Sequence, residues 1–305
     1  MASWQAYAAA WLLKRRLKPR LRVARDVNEL RRLFAPRRHR VPRCIEIRPD
    51  QVGGVRGEWV TTEASGPSAA TLLYLHGGGY FACSAETHRP ITCSFAQLGF
   101  KVFAADYRLA PEHVFPAAVE DAVAVFRGLA EMDPNMVVAG DSAGGGLAVA
   151  MMVGLRDAGF RLPAAAALFS PWVDLAARGE SLRTNNKKCA MFDGTKIGPS
   201  ARRYLKGADP KTPLASPLYA ELASLPPLLI HVGKNETLLD DSVRLAERAE
   251  RASVLVTLKV WPVVPHAWQL APQFIPEAHQ SLREAGAFLF AAPQEWETGA
   301  HVGAV

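Results

Sequence analysis

The stretch that decides the fold is Val137–Leu155, "VVAGDSAGGGLAVAMMVGL". A short apolar run, "MVVAG" at 136–140, reads as a strand. It runs into Gly140-Asp141-Ser142-Ala143-Gly144, and a small-residue helical pattern follows over 143–158. This is G-x-S-x-G between a strand and a helix. The serine there must sit on a tight turn with a strained backbone, which lifts its hydroxyl clear of the sheet. Side chains two residues to either side would collide, so Gly140 and Gly144 are steric requirements. The helix N-terminus beneath adds positive potential where negative charge would develop. Ser142 is therefore the candidate nucleophile.

Upstream, "LLYLHGGGYF" at 72–81 places His76-Gly77-Gly78-Gly79 directly after another apolar run. Three glycines let the backbone approach a ligand and point N–H groups into one spot, as stabilisation of a tetrahedral alkoxide requires. A phosphate loop is excluded, since neither G-x-x-x-x-G-K-[ST] nor G-x-G-x-x-G is met. His76 is expected to pin this loop by a hydrogen bond.

Further outward, candidate strands are 44–48, 56–63, 70–76, 100–106, 136–140, 164–170, 227–233 and 253–261. Candidate helices are 87–98, 115–131, 143–158, 241–252 and 277–291. From residue 70 strands and helices alternate, which predicts an α/β protein with a mostly parallel sheet and helices on both faces. The first two strands have no helix between them and are expected to form an antiparallel hairpin at one edge. Residues 178–212 are rich in Lys/Arg and lack strand character; an insertion there is a natural cap over a site.

"HGGGY" at 76–80 and "GDSAGG" at 140–145, with "DYRLAPEHVFPAAVEDA" at 106–122 and "SPWVDL" at 170–175, resemble the hormone-sensitive-lipase-like branch of the α/β-hydrolases, the bacterial family IV esterases. The resemblance runs from about residue 41 to 291. Within that branch, "ETLLDDS…HAWQL" looks most like the subgroup that includes monoterpene ε-lactone hydrolases. The resemblance implies an α/β-hydrolase fold with an eight-stranded sheet, residues 42–305 forming the catalytic domain and 1–41 with 178–212 a helical cap. It implies hydrolysis of short to medium carboxylic esters, or of lactones or amides by the same groups, with no metal and no cofactor. By the same carry-over, the oxyanion donors would be the N–H groups of Gly77, Gly78 and Ala143. A non-catalytic binding protein on this fold is the rival of another class; the presence of all three triad residue types argues against it.

Triad order in this fold is serine, acid, histidine. His39, His76, His88 and His113 precede Ser142 and are excluded on order. His231 lies within a strand, His279 in the last helix and His301 in a polar tail. His266, in "WPVVPHAWQL", follows the last strand on a loop flanked by prolines and is the candidate base. The related pattern is His-Gly-Phe, whereas this chain has His266-Ala267-Trp268; Trp268 is expected to shape the acyl pocket. The acid must lie after the strand at 227–233, in "HVGKNETLLDD". Asp240 and Asp241 read as N-terminal residues of the next helix, where an acidic side chain caps. Glu236 lies in the loop, and Gly233, Glu236, Leu238 and Asp240 register onto the family's G-x-x-[D/E]-x-L-x-D. Glu236 is the candidate acid.

The chain is 305 residues long with a net charge of +7, unevenly placed. Residues 1–43 hold 13 Lys/Arg against Asp26 and Glu29. Trp4, Tyr7, Trp11 and Leu12 fall at helical spacing, which predicts an amphipathic helix with a solvated basic face. No recognition motif accompanies the charge, so nucleic-acid binding is not expected. No apolar run reaches the roughly 20 residues of a membrane span. Apolar residues precede the positive charge, the reverse of a secretory signal. The scattered Cys44, Cys83, Cys93 and Cys189 read as reduced thiols of a cytoplasmic protein. The expected partner is a small ester or lactone, and the run 253–261 is a strand whose edge could pair in a homodimer.

Overall fold

All eight runs expected as strands are strands in the computed structural model of the chain, which describes residues 2–35, 41–63, 65–66, 69–133 and 135–297. They are β1 (Glu46–Val52), β2 (Val55–Thr61), β3 (Thr71–Leu75), β4 (Lys101–Ala105), β5 (Val137–Asp141), β6 (Ala166–Phe169), β7 (Leu228–Gly233) and β8 (Val256–Trp261). The helices in chain order are α1 (Trp4–Arg16), α2 (Lys18–Val23), α3 (Val27–Phe34), α4 (Arg89–Gln97), α5 (Ala117–Ala130), α6 (Ala143–Asp157), α7 (Ser181–Thr184), α8 (Ile197–Leu205), α9 (Leu239–Arg251) and α10 (Pro276–Glu297). The sheet order is β1-β2-β4-β3-β5-β6-β7-β8. β1 pairs antiparallel with β2, and β2 antiparallel with β4; every other pair is parallel. The expected hairpin is thus one edge and β8 the other. His39 and His301 lie outside the described residues.

Alternation along the strands divides the core. Leu73, Leu75, Val138, Leu168 and Ile230 face α5, α6 and α9. Leu72, Tyr74, Val137, Ala139 and Leu229 face α4 and α10 on the other side. Central strands covered on both faces are lined mostly by apolar side chains, which is why they read as nearly continuous apolar runs, with buried His231 of β7 and Asp141 of β5 among the exceptions. The helices shield the sheet's two faces and leave its carboxyl edge, where Ser142 and the Gly77–Gly79 loop emerge, to be covered by other segments.

Those segments are the N-terminal helices and the insertion. From α3, Arg31 donates from Nε to Phe81 O (2.7 Å), from Nη2 to Ala110 O (3.1 Å), and to both oxygens of Glu112. From α8, Tyr204 stacks on Tyr80 with ring centroids 4.0 Å apart. Lys18 Nζ joins the two segments by donating to Asn186 O and to Cys189 O, the latter at 2.9 Å.

α1 corrects the expectation drawn from its aromatic spacing. Its basic residues are solvated, but so are Trp4 (75 % exposed), Tyr7 (56 %) and Trp11 (61 %). The packed side is the alanine side: Ala6 is buried against Trp261, Val264, Trp268, Ile275 and Ala278, with Ala9 beside it. Ser3 fixes this rotation. Its Oγ accepts from Ala6 N, and its N and Oγ donate to the two carboxylate oxygens of Glu277 on α10 (2.5 and 2.7 Å). Small residues allow close approach of the two helices, and that preference overrides the apolar moment.

Candidate active site

Ser142 sits between β5 and α6 at φ 53°, ψ −121°. A Cβ on Gly144 would lie 2.0 Å from Leu75 O and 2.5 Å from His76 O; one on Gly140 would lie 2.6 Å from Gly144 O. These carbonyls belong to β3, to the loop after it and to the first turn of α6, so they have nowhere to move. Gly144→Ala is therefore expected to cost at least about 3 kcal/mol or to prevent folding. Gly154→Ala in the same helix, whose nearest neighbour is a side-chain carbon at 3.6 Å, is expected to be neutral or to gain up to about 1 kcal/mol. Urea unfolding midpoints of the two variants make the comparison.

The structure brings Glu236 and His266 together. Glu236 Oε2 lies 2.5 Å from His266 Nδ1, and both side chains are buried. A carboxylate only accepts, so Nδ1 carries the proton and Nε2 keeps its lone pair. That Nε2 is buried without a hydrogen-bond partner among the described residues. His266 lines a 170 Å³ cavity that Ser142 also lines. The other oxygen, Oε1, accepts from Gly233 N (2.6 Å) and Ser170 Oγ (2.7 Å). Three donors thus hold one glutamate in place at the end of β7. His231, in β7 as expected, turns away to Ser281 Oγ (2.9 Å), and burial pulls its pKa down to about 4. His279 is exposed.

Asp240 and Asp241 begin α9 but do not cap it. Asp240 Oδ2 accepts from Ser181 N, while Asp241 Oδ2 accepts from Val173 N and Asp174 N. Both carboxylates reach across to the segment after β6. Burial, aided by the nearby Asp174 carboxylate and opposed by the two backbone donors, pushes the pKa of Asp241 up to about 8.

The loop after β3 corrects one expected donor. Gly77 N–H already donates to Asp141 Oδ1 (2.9 Å), and Gly77 does not line the cavity. Gly78 and Gly79 do line it, and their N–H groups have no acceptor among the described residues. The glycine run was legible in sequence; which of its N–H groups was already taken was not. Asp141 also accepts from Tyr74 Oη (2.7 Å) and lies 3.2 Å from His88 Nε2. Burial raises its pKa, but His88 and the Tyr74 hydroxyl outweigh burial and hold it at about 2. An ionised Asp141 therefore anchors the loop beside Ser142. His76 Nδ1 lies 2.6 Å from Gly77 O, and its own carbonyl accepts from Tyr107 Oη (2.6 Å). Burial, with His88 nearby, lowers its pKa to about 3, consistent with a neutral structural ring.

Trp268 does not shape the cavity. It is buried in the cluster under α1, donates to Glu277 O (3.2 Å) and is absent from the cavity wall. Ala267 takes φ 53°, ψ 40°, a conformation that the related glycine adopts without strain. The side chains over His266 come from the insertion: Phe192 packs edge-on at 4.8 Å. Asn185 Nδ2 donates to Lys234 O (3.0 Å) and Glu236 O (2.9 Å), clamping the loop that carries Glu236. Ser170, Asn185 and Phe192 escaped sequence reasoning. "SPWVDL" marked the neighbourhood of Ser170, but residues 178–212 carry no local motif, and both of their contacts bridge distant parts of the chain.

Leu21, Ala24, Leu30 and Phe34 roof the cavity from the N-terminal helices, and Met191 and Ile197 from the insertion. Among the described residues no group of acidic, His and Cys side chains could hold a metal ion. No helix among them is long and apolar enough to cross a membrane.

Comparison with known proteins agrees with this geometry. A model of an alpha/beta hydrolase fold family matches residues 72–270. An acetyl-hydrolase of Streptomyces hygroscopicus is 46 % identical over 248 residues, covering 80 % of this chain and 82 % of that protein. An esterase of Acinetobacter venetianus is 33 % identical, covering 93 % and 96 %. The crystal structure of an esterase from the bacterial hormone-sensitive lipase family superposes with a TM-score of 0.88 at 40 % identity, covering 96 % and 99 %. The fold, the strained serine turn and these likenesses converge: the chain belongs to the hormone-sensitive-lipase family of esterases on the α/β-hydrolase fold.

Proposed function

We propose that this chain hydrolyses short to medium acyl esters through Ser142, His266 and Glu236. The observation that carries the reading is the buried Glu236–His266 pair, whose histidine has a free Nε2 and lines the same cavity as Ser142. As Ser142 Oγ attacks the ester carbonyl, His266 Nε2 takes its proton. Glu236 holds the tautomer and stabilises the imidazolium. The carbonyl oxygen becomes an alkoxide, received by the N–H groups of Gly78, Gly79 and Ala143. Collapse expels the alcohol, which takes the proton from His266, and leaves an acyl-serine. Water attacks that ester with His266 again as base, releasing the acid and restoring Ser142.

Residues 1–41 with 178–212 act as the cap on a catalytic domain of 42–305. Likeness to proteins named esterase and acetyl-hydrolase favours a short acyl group over a long-chain triglyceride. The likeness of "ETLLDDS…HAWQL" to lactone hydrolases makes ring esters the second substrate class. Four free thiols favour a reducing compartment, and the cytoplasm is the proposed location. The test is a panel of p-nitrophenyl esters of increasing chain length together with several lactones, with Ser142→Ala as control. Turnover should be highest at two to six acyl carbons, and a serine-directed phosphonate should label Ser142 stoichiometrically. Absence of labelling would sink the reading.

A further inference from the structure

The outward aromatic face of α1 has no role in the site. Trp4, Tyr7 and Trp11 lie on one side of this helix, and Lys14 and Arg15 continue the same side. The Arg15 guanidinium sits 5.5 Å over the Trp11 ring. Lys14, Arg15, Arg16 and Arg20 are exposed, and no acidic side chain among the described residues pairs with them. Leu21 and Arg22, on the next helix, line the catalytic cavity. The charge of the whole chain is polarised in the same sense. Residues 1–43 and 178–212 hold 22 of the 36 Lys/Arg but only 5 of the 29 Asp/Glu, a net of +17, against −10 for everything else.

We propose that this face docks the enzyme on an anionic lipid surface. Indole and phenol rings bury an apolar body at headgroup depth while their polar edges stay hydrated. Cationic side chains on the same face reach lipid phosphates. The helix is turned aromatic-side out by its Ser3–Glu277 anchor, so exposure of the three rings is built into the fold. A second copy is a poor occupant, because α1 carries only basic charge and the segment 1–43 is strongly basic, so two such faces meet like charge with like. Single-stranded nucleic acid is gripped in positively charged grooves, and none of Trp4, Tyr7, Trp11, Lys14 and Arg15 lines the cavities described. Docking would bring the rim of the cavity to the lipid, where amphiphilic esters concentrate.

The test is co-sedimentation of the full chain with vesicles of equal phosphatidylglycerol and phosphatidylcholine at low salt. Three proteins are compared: wild type, Trp4→Ala/Tyr7→Ala/Trp11→Ala, and Lys14→Glu/Arg15→Glu/Arg16→Glu. Wild type should bind these vesicles at least about tenfold more tightly than pure phosphatidylcholine, each variant should lose about tenfold or more, and about 0.5 M salt should release the protein. Both variants change only exposed side chains outside the cavity wall, so their hydrolysis of a water-soluble ester should match wild type and shows them folded. Unbound wild type would overturn the proposal. So would an aromatic variant that binds as wild type does, or a wild-type dimer that this variant makes monomeric. Retention of a DNA strand in place of vesicles would reassign the face to nucleic acid. Loss of vesicle binding leaves the esterase reading untouched, because that is read on soluble ester alone.

Discussion

His266→Ala is expected to lower kcat for a short acyl ester by on the order of 10⁴- to 10⁶-fold, with little change in KM. The size follows from what the imidazole does. Without it the Ser142 hydroxyl attacks as a neutral alcohol, and the leaving group departs without a proton. Binding and the backbone donors are left intact, so some rate above background survives. Ser142→Ala should cost a similar amount. The Ser142→Ala/His266→Ala double variant should cost no more than either alone, because the two side chains act as one unit. Steady-state kinetics with p-nitrophenyl acetate measure all three. Losses that multiply in the double variant would mean that the residues act independently.

Glu236→Ala is expected to lose about 10³- to 10⁴-fold in kcat. Its carboxylate makes Nδ1 the protonated nitrogen; without it the other tautomer puts a proton on Nε2, where a lone pair is needed. Glu236→Gln should be nearly as poor, because an amide NH₂ turned toward His266 selects that wrong tautomer. Asp240→Ala is the discriminating control. Its carboxylate holds Ser181 N, 59 residues away in sequence, and its loss should affect stability far more than turnover. If Asp240→Ala abolishes activity in a folded protein while Glu236→Ala does not, the acid has been misassigned.

The reach of sequence reasoning can be judged from particular residues. Strand β5, the Ser142 turn and α6 were readable because a local chemical demand, a strained serine between two glycines, leaves a local pattern. The Glu236–His266 contact was readable because fold order and loop position restrict where such a pair can meet. The Gly77 N–H was misassigned because its true acceptor, Asp141, is 64 residues away. No spacing rule says which of three adjacent glycines a distant carboxylate will claim. Trp268 and the α1 aromatics failed for a related reason. Both were assigned an apolar environment on hydrophobicity, but hydrophobicity does not say which neighbour supplies it, or that Ser3 and Glu277 will turn a helix so that its alanines face inward.

The contacts of Arg31 and Tyr204 with the segment Tyr80–Phe81 bear on how such an enzyme would choose its substrates. Both halves of the roof are fastened just beyond Gly78 and Gly79, one by a hydrogen bond to the Phe81 carbonyl and the other by stacking on the Tyr80 ring. Roof and the loop proposed to receive the alkoxide are thus tied to each other by direct contacts. An acyl chain long enough to lift the roof would also drag the donors off their mark. It would be penalised in the rate of attack, over and above any loss in affinity. Chain-length discrimination in this molecule would thus be written into kcat, and widening the roof by mutation would trade turnover for range.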